Sequence, residues 1–110
     1  MSNNYSIHLY IEGPNEDLQK VTKELDFSKQ SYDDTQWEIE GGSAILHFNT
    51  HFCPYDEVKN ASANYPSLHI KFRFSYELIT VGLMIYENGR IKLDSSYNWE
   101  TGESCFTKYN

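Results

Sequence analysis

The sequence predicts a single α+β domain built on an antiparallel sheet, and three observations carry that prediction. Several stretches alternate apolar and polar residues with the period of a half-buried strand. Two others carry apolar residues at helical spacing behind a proline. Two dipeptides, Gly41-Gly42 and Asn88-Gly89, have the composition of tight hairpin turns, whose central residues need positive φ.

In the first stretch, Tyr5, Ile7, Leu9 and Ile11 alternate with Ser6, His8 and Tyr10, which predicts a strand over 5–12 with one buried face. Gly13-Pro14 ends it, and proline is tolerated in a helix's first turn because the missing N–H has no partner there anyway. Leu18, Val21 and Leu25 then recur at helical spacing, and Glu16 stands four residues before Lys20, so a helix is expected over 14–25. The polar run 26–35 reads as a loop. A short strand over 36–40 follows, then Gly41-Gly42, then a strand over 43–52. In that second arm Ala44, Leu46, Phe48, Thr50 and Phe52 share one face, and Ile45, His47, Asn49 and His51 the other.

Pro54 opens a second helix with Asp56 and Glu57 in its first turn, where carboxylates meet the positive end of the helix dipole. Tyr55, Val58, Ala61 and Tyr65 form its apolar stripe, and Pro66 stops it. The cleanest alternation is Leu68, Ile70, Phe72, Phe74 and Tyr76 against His69, Lys71, Arg73 and Ser75. Residues 79–86 form a further apolar strand, whose partner beyond Asn88-Gly89 covers 90–93 and extends toward Tyr97. The tail, residues 97–110, contains Trp99, Phe106 and Tyr109 and is expected to dock on the domain. No repeat, low-complexity stretch or linker interrupts this order.

Strand, helix, strand, strand, helix, strand, followed by a hairpin, is the order of a split βαβ unit. With right-handed crossovers it gives a ferredoxin-like antiparallel sheet, both helices on one face, and an added C-terminal hairpin. Another α+β sandwich with the same element order is the alternative.

Composition narrows the function classes. A chain of 110 residues makes one domain that needs no metal or disulfide to hold it, and 39% hydrophobic with 15% aromatic residues predicts that it folds. A formal charge of -7 argues against binding a phosphate backbone and favours a protein partner with a basic surface. Cys53 and Cys105 are the only cysteines, residues 1–10 lack the basic start and apolar run of an export signal, and no stretch has the apolar length of a membrane span. The expectation is a cytoplasmic protein with free thiols and no membrane contact.

Several short pieces together carry a family pattern: Ile11-Glu12-Gly13 after the first strand, then the run from Phe48 to Pro54 (FNTHFCP). Tyr65-Pro66, Tyr76-Glu77, Gly82 and Tyr86-Glu87-Asn88-Gly89 continue it. Spanning roughly residues 5–92, they resemble the YubB-like ferredoxin-like family of small plasmid and phage proteins. The resemblance implies that fold and a mobile-element origin. The family has no assigned reaction, so no catalytic residue is carried over. Read physically, Phe48, Thr50 and Phe52 face the core and Pro54 launches a helix, which makes this run a packing junction.

Four histidines are the first candidates for chemistry. In the expected topology His8, His47, His51 and His69 project from the helix-free face of the sheet, together with Tyr10, Lys71 and Arg73. Imidazole is a common metal ligand, but His47 and His51 stand roughly 13 Å apart on a strand, too far to share an ion. No Cys-x-x-Cys pair or helical His pair supports a metal site, and none is expected. Tyr10, Lys71 and Arg73 suit base stacking, yet the third strand lacks the basic-Gly-aromatic run of an RNA-binding sheet. The paired acids Asp33-Asp34 and Glu38/Glu40 have no placed base or nucleophile, and the glycines mark turns and a strand position instead of a phosphate loop. No catalytic residue and no cofactor are expected, and two cysteines cannot hold an iron–sulfur cluster.

Charge distribution is more informative. Between Lys29 and Lys59 there is no lysine or arginine, while Asp33, Asp34, Glu38, Glu40, Asp56 and Glu57 all fall there. The second strand is expected at a sheet edge, so Asp33, Asp34, Glu38 and Glu40 form a candidate acidic docking patch. Acids also guard an edge strand against unwanted pairing, which is the simpler role for them. The leading expectation is a non-enzymatic protein-binding module of mobile-element type, in one form an acidic inhibitor of a host nucleic-acid-handling defence enzyme. The alternatives are ligand, metal or nucleic-acid binding on the histidine face, and a structural or oligomerisation domain.

Overall fold

The alternating stretches become the strands of one open antiparallel sheet in the computed structural model, which describes residues 5–27, 36–76 and 80–98. In chain order the elements are β1 (Tyr5–Glu12), α1 (Asn15–Glu24), β2 (Glu38–Glu40), β3 (Ser43–Thr50), α2 (Tyr55–Asn64), β4 (His69–Tyr76), β5 (Thr80–Glu87) and β6 (Arg90–Asn98). The six strands lie in the order β2-β3-β1-β4-β5-β6, every neighbour antiparallel. The architecture is therefore α+β, with β2 at one edge and β6 at the other. Asp33, Asp34, Cys105 and the tail beyond Asn98 lie outside the described residues.

One face of the sheet makes the core. Ile7, Leu9 and Ile11 of β1, Ala44, Leu46 and Phe48 of β3, and Ile70, Phe72 and Phe74 of β4 are buried in one cluster with Met84 and Tyr86 of β5. Leu18 and Val21 of α1 and Val58 and Ala61 of α2 join that cluster, so both helices cover the same face. Each fully buried side chain of this size contributes about 1.5–3 kcal/mol relative to exposure. The helical stripe and the strand alternation thus meet in one place, which is what makes the two periodicities compatible.

Differences from the expected boundaries are small and have local causes. Trp37 leaves the strand pattern because its indole Nε1 donates to the Leu25 carbonyl at 3.1 Å, drawing the chain toward the end of α1 and shortening β2 to three residues. β3 ends at Thr50 and not at Phe52. The chain bends there, and Phe52 turns toward Phe27 with ring centroids 6.4 Å apart, while Phe27 stacks on Phe48 at 4.9 Å. At the Asn88-Gly89 turn both residues take positive φ, 53° and 75°, as a two-residue turn joining right-twisted strands requires.

Candidate binding face of the sheet

The face opposite the helices receives the polar half of each alternation, and the strand register arranges those side chains in rows. One row runs Ile45, Tyr10, Lys71, Ile85; the next runs His47, His8, Arg73, Leu83. Toward one end lie Asn49, Ser6, Ser75 and Val81, and toward the other Ser43, Glu12, His69 and Glu87. Glu38 stands beside Ile45 and Glu40 beside Ser43, so both β2 carboxylates belong to this face.

Among the predicted sheet-face residues, His8, Tyr10, His47, His69, Lys71 and Arg73 share this surface. His8 and His47, directly opposed across β1 and β3, stack at 4.1 Å between centroids and 13° between planes. His47 Nε2 lies 3.3 Å from Ser6 Oγ. Desolvation of the His8 ring, then the His47 ring and the Arg73 guanidinium, hold its pKa below the ordinary value, so it is neutral at neutral pH. Lys71 Nζ sits 5.7 Å from the centre of the Tyr10 ring, within cation–π range. The Tyr10 hydroxyl bonds Glu12, which raises its pKa. His69 Nδ1 lies 2.8 Å from Glu87 Oε1, and Lys92 Nζ lies 3.7 Å from Glu87 Oε2. His51 is the exception: it falls beyond the last residue of β3, exposed, with its ring 5.9 Å from that of Phe52.

Between these groups is a shallow depression of about 320 Å³ lined by His8, Tyr10, Ile45, Lys71, Arg73 and Leu83. Ile45 is 45% exposed and contributes an aliphatic surface to this side. The histidines are legible from alternation; the aliphatic wall formed by Leu83 is less so. The signal was present: β5 reads TVGLMIYE, apolar on both faces, so Val81, Leu83 and Ile85 must line the side away from the helices.

The predicted acidic patch is represented by Glu38 and Glu40, both exposed on the edge strand. β1, β2 and β3 read YSIHLYIE, EIE and SAILHFNT, with no lysine or arginine, whereas β4 and β6 supply Lys71, Arg73, Arg90 and Lys92. The sheet is therefore electrically polarised from edge to edge.

Elsewhere, burial pushes the Cys53 thiol up to about 12, which keeps it protonated and poorly nucleophilic. Among the described residues no group of three His, Cys, Asp or Glu could hold a metal ion, and no helix is long and apolar enough to cross a membrane. Compared with protein-family models, with curated proteins and with solved structures, the chain gives no match.

Proposed function

We propose that the chain is a non-catalytic protein-binding module that docks a basic protein surface through the acidic edge of its sheet. The observation that carries this reading is the polarisation of the sheet, with Glu38 and Glu40 exposed on β2 and the strand cations on β4 and β6. Carboxylates at an exposed edge add little static stability, but they steer encounter and select partners by sign. Asp33 and Asp34, just before β2 in sequence, extend the same charge.

The strand order of the first four strands, β2-β3-β1-β4, supports reading them as a ferredoxin-like unit, with β5 and β6 as an added C-terminal hairpin. That reading agrees with the resemblance to the YubB-like family, and with it a plasmid or phage origin and a cytoplasmic setting. One concrete form of the function is an inhibitor of a host nucleic-acid-handling defence enzyme, whose basic groove the acidic edge occupies in place of phosphates.

The test is capture of a partner from host lysate by the immobilised protein and by a variant carrying Asp33→Lys, Asp34→Lys, Glu38→Lys and Glu40→Lys. The reading expects capture to be lost in the variant and to be competed by nucleic acid. Capture unchanged by the reversal would refute it.

A further inference from the structure

The depression on the helix-free face adjoins the acidic edge at Ile45, which Glu38 flanks, but its own lining has a different chemistry. Lys71 and Arg73 occupy alternate positions of β4 near the centre of the sheet. The chain holds 16 acidic residues against 9 basic ones, yet no ion pair joins Lys71 or Arg73 to a carboxylate among the described residues. Lys20 pairs with Glu16 at 3.6 Å and Lys92 with Glu87 at 3.7 Å, whereas Lys71 and Arg73 stand two residues apart on one strand without such a partner among the described residues. Two adjacent cations with no ion pair among the described residues form a local anion-attracting spot.

The surroundings specify more than charge. Tyr10 faces Lys71 across β1 and β4, and His8 faces Arg73 in the next row, so ring and cation alternate across the floor. Ile45 flanks Tyr10 on β3 and Leu83 flanks Arg73 on β5, giving aliphatic walls on both sides. A site with aromatic rings, aliphatic walls and two donors fits a ligand with a flat apolar body and a charged end. At about 320 Å³ the space is at the small end of ligand sites. Glu12 and Glu87 at one end and Glu38 and Glu40 at the β2 edge oppose a long polyanion running off the site.

We infer that this depression binds a compact planar anion, an aromatic or heteroaromatic ring bearing a single phosphate or carboxylate. The anionic group lies between Lys71 and Arg73, and the ring rests against Tyr10 and His8. Arginine accepts phosphate or carboxylate through its planar fork, and lysine adds a point charge beside it.

The experiment is an amide-resolved NMR titration of the intact chain at low salt with four probes: adenosine monophosphate, indole acetate, inorganic phosphate and a short oligothymidylate. Saturable shifts at Tyr10, Lys71 and Arg73 are expected with adenosine monophosphate, indole acetate or both, and far weaker ones with inorganic phosphate. Lys71→Gln with Arg73→Gln, both at exposed positions, should weaken binding by about tenfold or more. Glu38→Lys with Glu40→Lys should not weaken it, which separates this site from the docking edge. The inference is overturned by no saturable shift with either ring-bearing anion, by equal affinity for inorganic phosphate, or by unchanged affinity in the Lys71/Arg73 variant. Tighter binding of the oligothymidylate than of adenosine monophosphate overturns the compact-ligand assignment in favour of a single-stranded nucleic acid.

Discussion

Gly82 shows how a single residue shapes this sheet. It stands opposite Phe74 across β4 and β5, and a Cβ there would overlap the Phe74 ring, which is itself buried. Gly82→Ala is expected to cost about 1–3 kcal/mol, read as a lower denaturant midpoint. Ser62 is the opposite case. Its Oγ is buried in α2 without a hydrogen-bond partner among the described residues, so Ser62→Ala should leave stability unchanged or raise it by up to about 1 kcal/mol. His8 makes the pH prediction. Its folded-state pKa lies below the ordinary 6.5, so as pH falls the unfolded chain takes up the proton first. The stability carried by neutral His8 is present above 6.5 and is lost as pH falls through the lowered folded value. Thermal midpoints across that window should fall more in the native chain than in His8→Gln; equal slopes would contradict the assignment. Alternation placed His8 and His47 on one polar face, and the register of β1 against β3 makes them a pair. The role of Gly82 was not, because an in-strand glycine carries no signal about which ring it accommodates.

Element by element, periodicity placed each strand and helix to within a few residues, since each has one buried face. What it missed were ends set by tertiary contacts. β2 is short because Trp37 is hydrogen-bonded toward α1, and β3 stops early because Phe52 packs against Phe27. β6 runs to Asn98, past the end of the apolar alternation, because backbone pairing with β5 continues where Asp94, Ser95 and Ser96 interrupt the apolar pattern. β2 is also where the proposed function can be separated from the fold. Glu38 and Glu40 are exposed and make no ion pair among the described residues, so Glu38→Lys with Glu40→Lys should change folding stability by no more than about 0.5 kcal/mol. A loss of stability well beyond that would mean the acids serve the fold and not a partner.

At the scale of the whole molecule, the two surfaces divide by charge. The acidic edge at β2 and the cationic depression on β1, β3, β4 and β5 belong to the face opposite the helices, and each should respond to its own substitutions. The net charge was legible from composition, and its concentration before and within β2 from the spacing of lysines. The depression was not, because it needs the register that brings Ile45 and Leu83 to either side of Tyr10 and Arg73. The association rate of the purified partner with the native chain and with Glu38→Lys/Glu40→Lys, followed from low to high salt, tests the docking edge most directly. The native rate should fall steeply with salt, and the variant's should start low and stay nearly flat. Native and variant rates that coincide at every salt concentration would contradict an electrostatically steered acidic edge.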